Sequence, residues 1–179
     1  MTDDIKKKID VVFIAGGKFH DIDFARLEIL KLLAEDDRMK VRVFEDYSNL
    51  HAIEKADFLI TYTCDVRPTL EQQRVLKNYV SSGNRWLALH GTNSILQFMS
   101  DGKVDSPRIA PVMMETLGSQ FIAHPPIEPY NVKVSQPDHP LVKGVEEFET
   151  TDELYLMELH GDLDVLLEAD YDGKAEGFV

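Results

Sequence analysis

The stretch DFLITYTCDVRPTLEQQRVLKNYVSSGNRWLALHGT (57–92) contains a complete strand–helix–strand unit. Residues 57–63 are rich in aromatic and β-branched side chains with almost no charge, the pattern of a strand buried on both faces. Thr69 and Gln72 are spaced as a capping box, and Gly83 stands where a helix ends. Between them, Val75, Leu76, Tyr79 and Val80 share one side, while Glu71, Arg74, Lys77 and Asn78 share the other. Arg85–Leu89 is apolar again and runs into His90-Gly91-Thr92. A helical crossover of this length joins parallel neighbours, so the unit predicts a parallel sheet.

The same rhythm extends toward the N-terminus. Residues 9–15 form a run that is apolar apart from Asp10 and is closed by Gly16-Gly17. Residues 21–36 read as a helix with Ala25, Ile29, Leu32 and Leu33 on its buried stripe and Glu28 and Lys31 pointing away. Residues 39–44 read as a strand and 50–56 as a short helix. The strands 9–15, 39–44, 57–63 and 85–89 are therefore expected as neighbours in a flavodoxin-like, doubly wound α/β fold of three layers. Beyond residue 100 the rhythm weakens. A polar loop is expected over 101–107, a helix over 110–117, strands over 128–135, 153–159 and 165–169, and a strand start at Gly177. One domain over residues 1–179 is the reading that this length favours.

The net charge of −13 repels phosphate backbones and argues against nucleic acid as a partner. The single cysteine, Cys64, allows no internal disulfide. The apolar run at 11–15 is too short for a membrane span or a signal segment, so neither a membrane association nor export is expected, and a cytoplasmic location is the simplest expectation. A homo-oligomer is compatible with everything in the sequence.

In open α/β sheets, ligands bind beyond the carboxyl ends of the strands. Gly16-Gly17-Lys18-Phe19-His20, Thr63-Cys64-Asp65 and His90-Gly91-Thr92-Asn93 all fall at that rim. Each alone could be an ordinary packed loop; their shared placement points to a site. Gly16 and Gly17 could cradle a ligand at the following helix, although neither G-x-G-x-x-G nor a Walker pattern is present, and a tight turn explains them better. Cys64 is a poor nucleophile candidate, because the adjacent Asp65 would raise its thiol pKa. His124, His139 and His160, with Asp152 and Glu153, form a second group. No local metal spacing such as H-x-H or H-E-x-x-H occurs, so a divalent metal would need ligands from distant segments.

These segments together resemble the ThuA-like (trehalose-utilisation) family. The resemblance rests on Gly16-Gly17 with His20, the strand 57–63 and its helix to Gly83, Leu89-His90-Gly91, Leu117-Gly118-Ser119-Gln120-Phe121 with His124-Pro125, Asp138-His139-Pro140-Leu141-Val142-Lys143-Gly144, and Thr151-Asp152-Glu153-Leu154-Tyr155. It implies a class I glutamine-amidotransferase-like fold and a role in using trehalose or related disaccharides. It does not imply amidotransferase chemistry, because His90 stands where the nucleophilic cysteine would be. By motif position it implies a pocket with His90, Glu153 and Asp152 as catalytic candidates. The substrate-binding candidates are Gly16, Gly17, His20, Thr92 and His124. A divalent cation held by His20, His90 or His124 is one option. His139, followed by proline, is expected to serve its own loop. Relatives continue with a glycine-rich strand and a helix, which the sequence ending at Val179 is expected to lack.

Two function classes follow. One is an enzyme acting on a sugar or sugar derivative, with His90 and a carboxylate from Asp152 or Glu153 moving a proton. The other is a binding module that keeps the pocket without catalysis. Three histidines and an acid converging on one pocket favour the first; scattered histidines favour the second.

Overall fold

The structure, a computed structural model, describes residues 7–102 and 104–171. The expected strand start at Gly177 lies outside them. Strand β1 (Ile9–Gly17) is followed by helix α1 (Ile22–Leu33), β2 (Met39–Phe44), α2 (Leu50–Lys55), β3 (Phe58–Cys64), α3 (Leu70–Ser81) and β4 (Arg85–Leu89). The four strands form one parallel sheet in the order β2-β1-β3-β4. This is the flavodoxin-like arrangement that the alternation of strands and helices requires.

The sheet is held by β1. Val11, Val12, Phe13, Ile14 and Ala15 are completely buried. Alternation sends Val12 and Ile14 toward one layer, with Leu59, α2 (Ala52, Ile53) and α3 (Leu76, Tyr79). Val11, Phe13 and Ala15 go toward the other, with Ile60 and α1 through Ile22, Ile29, Leu30 and Leu33. Each fully buried aliphatic or aromatic side chain contributes roughly 1.5–3 kcal/mol. Leu32, expected on the buried stripe of α1, instead points outward at 64% exposure. At 100° per residue it lies 100° round the helix from Leu33, and Leu30 packs against the sheet instead. α3 carries both halves of its capping box.

β4 is an edge of this sheet, with Leu87 45% exposed, so only its Trp86 side is well covered. Trp86 donates its indole N–H to Thr61 Oγ1 at 2.9 Å. The second half is built from antiparallel pieces. A short hairpin, β5 (Gln97–Phe98) with β6 (Val104–Asp105), occupies what the polar composition of 101–107 marks as a loop. Helix α4 (Pro111–Leu117) leads into β7 (Ser119–Ala123), a strand without a sequence expectation of its own. β8 (Glu128–Val134) pairs with β9 (Phe148–Asp152) and with β11 (Leu167–Glu168), a much shorter strand than residues 165–169 suggest. The expected strand over 153–159 is broken. β9 ends at Asp152, and β10 (Leu156–Leu159) starts again against β7. Among the described residues, no helix is long and apolar enough to cross a membrane.

The end of β1 is squeezed between its neighbours. A Cβ on Gly16 would lie 2.0 Å from the Glu45 carbonyl oxygen, and one on Gly17 1.9 Å from that of Cys64. Gly17 also has φ +112°, which suits glycine alone. The two glycines therefore serve close strand packing rather than an open cradle. Gly16→Ala should destabilise the fold by about 1–3 kcal/mol or more, because backbone cannot yield as a flexible side chain can. A urea midpoint equal to that of the parent protein would show that the rim has more room than the packing indicates.

Candidate active site

The loops at the carboxyl ends of β1, β3 and β4 share a strained backbone. Phe19, Asp65 and His90 are the non-glycine residues with positive φ among the described residues, at +72°, +54° and +49°. Each follows one of these strands, and such strain clusters at functional sites. His90 stands on the sharp turn that leaves β4. The turn is pinned beneath it: the Thr92 hydroxyl donates to Leu89 O at 2.8 Å and lies 3.1 Å from Thr61 Oγ1. Gly91 passes the Cys64 side chain so closely that a Cβ would sit 3.0 Å from Cys64 Cβ. Thr92, a substrate-binding candidate from its place at the rim, is thus buried and bonded inward.

His90 Nε2 lies 3.2 Å from His20 Nε2 and 3.4 Å from His20 Nδ1. The rings meet edge to face, with centroids 4.3 Å apart. Tyr62 stacks behind His90 at 5.4 Å. The break between β9 and β10 brings in the other partners. Glu153 Oε2 is 3.7 Å from His90 Nε2, and the Tyr155 hydroxyl is 3.3 Å from the same nitrogen. Glu153 Oε1 is 3.8 Å from His124 Nε2. His124 Nδ1 donates to the Pro125 carbonyl at 2.8 Å, so Nε2 can donate to the carboxylate only when the ring carries a second proton.

His20, His90, His124 and Glu153 are therefore brought together. Asp152 is not: it is exposed, spends one carboxylate oxygen on the Glu153 N–H at 2.8 Å, and lines a shallower groove beside His90. Gly16 and Gly17 border a separate open groove with His20, Asp21 and Arg26. His139 is exposed and accepts the Leu141 N–H, serving its own loop as expected. Tyr155 and Tyr62 are functional candidates that sequence reasoning passed over. For Tyr155 a signal existed, since Glu153 and Tyr155 are two residues apart and share a side of any extended segment.

A cavity of about 220 Å³ opens beside the cluster. Its walls are apolar and aromatic, including Phe19, Leu96, Phe98 and Phe121, and its polar end holds His20, His124, Glu153 and Tyr155. Phe19 and Phe98 pack together at 5.3 Å. The wall is fixed by Asp65, whose side chain is nearly buried. Lys18 Nζ reaches it at 2.9 Å, Arg67 Nε at 3.0 Å and the Leu96 N–H at 3.2 Å. Burial alone would raise the Asp65 carboxyl, but these donors outweigh it and hold the group below its ordinary value.

Burial and the neighbouring His20 lower the His90 pKa, against the opposing pull of Glu153 and Asp152. His90 is thus neutral near pH 7. In chelator-treated protein its NMR titration midpoint should fall below 6.5, and Glu153→Gln should lower it further by removing a charge that favours the imidazolium. A midpoint above 6.5 would contradict this balance. Cys64 is different again: burial first, then Asp65 and Glu153, push its thiol up to about 11. At pH 8 only about one molecule in a thousand would carry the thiolate. Iodoacetamide should therefore leave native protein unmodified at pH 8 and label it after unfolding in urea; rapid native labelling would refute that.

The family model for ThuA, trehalose utilisation, matches residues 10–177. A solved structure described as a ThuA-like protein from Bacteroides uniformis ATCC 8492 superposes with a TM-score of 0.71 at 17% identity, over 92% of this chain and 69% of that one. Another ThuA-like protein, from Parabacteroides merdae ATCC 43184, gives 0.62 at 18% identity, over 91% and 68%. These likenesses bear on the fold. No curated protein sequence matches the chain. With the family model spanning nearly its whole length, the chain belongs to the ThuA family.

Proposed function

We propose that the chain is an enzyme acting on a sugar or sugar derivative, with His90 and Glu153 at the reacting atoms and without glutamine amidotransferase activity. The observation that carries this reading is the convergence of His20, His90, His124 and Glu153 on one cluster from four separate stretches of sequence, with His20, His124 and Glu153 lining the adjoining cavity. A binding module needs polar groups to orient a ligand. It does not need a neutral imidazole on a strained turn, paired with a carboxylate. The cavity is apolar along its walls and polar at one end, which suits a ring with C–H faces and hydroxyl edges. The family's description as trehalose utilisation supports the same substrate class.

His90 is placed to accept a proton from a ligand hydroxyl or an acidified C–H, and Glu153 to stabilise the imidazolium that forms. Asp152, exposed in the adjoining groove, adds negative charge without touching the ring. Glutamine hydrolysis needs an activated thiolate on the turn after β4. That turn carries His90, and Cys64 is buried with its thiol pushed up to about 11.

His90→Asn tests the reading, because asparagine tolerates positive φ while the imidazole is lost. Stability should stay within about 1 kcal/mol of the parent. Turnover of the responsive sugar, found by screening trehalose, related disaccharides and their derivatives, should fall by roughly 10²–10⁴-fold. Unchanged turnover would remove His90 from the chemistry. Steady ammonia release from glutamine, abolished by Cys64→Ser, would overturn the exclusion of amidotransferase activity.

A further inference from the structure

The contacts around His90 Nε2 exceed what one nitrogen can use. His20 Nε2, His20 Nδ1, the Tyr155 hydroxyl and Glu153 Oε2 lie 3.2, 3.4, 3.3 and 3.7 Å from it. An imidazole nitrogen has either one hydrogen or one lone pair to offer. At most one of these approaches is a hydrogen bond made through that nitrogen. The others place electron-rich atoms face to face in a pocket that is only partly open, where His90 and Glu153 side chains are 24% and 23% exposed. Such an arrangement is costly unless something positive lies among the donors.

The spacing fits a coordinated cation. Four-coordinate zinc with metal–nitrogen bonds of about 2.0–2.1 Å holds its ligand atoms roughly 3.3–3.4 Å apart. Donor atoms of His20, His90 and Glu153 all lie within 4.8 Å of one another, and among the described residues no other three histidine, cysteine or acidic side chains do so. The nearest pair, the two Nε2 atoms, is at 3.2 Å. Two histidines and one carboxylate leave a coordination position open, as reactive metal centres do.

We propose that His20, His90 and Glu153 bind a divalent first-row cation such as Zn²⁺, with the open coordination position facing the groove that all three line. His124 is not the third ligand. Its ring is not among the mutually close donors; it approaches the far oxygen of Glu153, at 3.8 Å, and with Nδ1–H held on the Pro125 carbonyl it supports the carboxylate from behind when its Nε2 also carries a proton. The inference rests on the reading that this cluster is the chemical centre, and it changes one role within it. With the cation bound, His90 Nε2 is committed to the ion, and a ligand oxygen in the open position is acidified by the ion's charge rather than by the ring.

The test uses the full chain, stripped with a chelator and titrated with Zn²⁺ by calorimetry and with Co²⁺ by visible absorption. One equivalent of either ion is expected, and the Co²⁺ complex should show the intense bands of a four- or five-coordinate site. His124→Ala should weaken binding by roughly 10–100-fold, the usual effect of losing a supporting residue. His20→Ala and Glu153→Gln should each weaken it by more than that, and His139→Ala should leave it unchanged. Absence of saturable binding to the parent protein overturns the site, whatever the variants do. Undiminished affinity in folded His20→Ala overturns it equally. Sugar turnover that survives chelation removes the cation and leaves the proposed function standing; stoichiometric cation binding with no response to any sugar does the reverse.

Discussion

The site depends on one backbone constraint, the turn by which the chain leaves β4. His90 is held there at φ +49°, a conformation that costs a residue with a Cβ roughly 1–3 kcal/mol. The surroundings over-determine it. Below it, the Thr92 hydroxyl locks onto Leu89 and the β3 backbone region, and Gly91 slides against Cys64 with no room for a side chain. Without that turn His90 would continue along the strand direction and miss both His20 and Glu153. Cys64, which looks from its chemistry like a candidate nucleophile, is better understood as part of the floor that supports the turn.

Around the turn, charge and shape are divided. Asp65, with Lys18 and Arg67, forms a charged strut that ties the ends of β1 and β3 to residue 96 and so fixes the aromatic wall. His20, His124 and Glu153 lie at the polar end of the cavity that this wall lines. A buried carboxylate with two cations and a backbone donor is satisfied and inert, while Glu153 has the Tyr155 hydroxyl as a hydrogen-bond partner and faces two imidazoles. The contrast between an acid held by two cations and one set among imidazoles and a phenol is what separates scaffold from chemistry here.

Much of this was legible in the sequence. The four parallel strands follow from apolar runs ended by glycine or polar loops, and their shared rim puts His20 and His90 together. The helices were legible where caps mark them, as at Thr69 and Gln72. The second half was less so. β7 and β9 are short, half-exposed and paired antiparallel, so neither a buried run nor clean alternation marks them. The break at 153–155 could not be read either, because a strand-like composition runs straight through it, and that break is what aims Glu153 and Tyr155 at His90. Thr92 was named from its place at the rim and Asp152 by motif position. Their actual roles depend on which way a side chain turns, and sequence spacing does not say that.

The same break has a consequence for how the molecule comes into being. His20 and His90 are set on the parallel sheet, but their carboxylate partner lies 63 positions after His90, on strands that pair only within the second half. At about 5–20 residues per second, a ribosome takes roughly 3–13 s to travel from one to the other. During that interval the nascent chain can close its sheet and present two facing imidazoles with no acid beside them. The pocket's negative charge arrives last, through long-range contacts that form slowly. Glu153 is therefore a marker of completed folding: a chain whose second half has docked carries it among the histidines, and a half-folded chain does not.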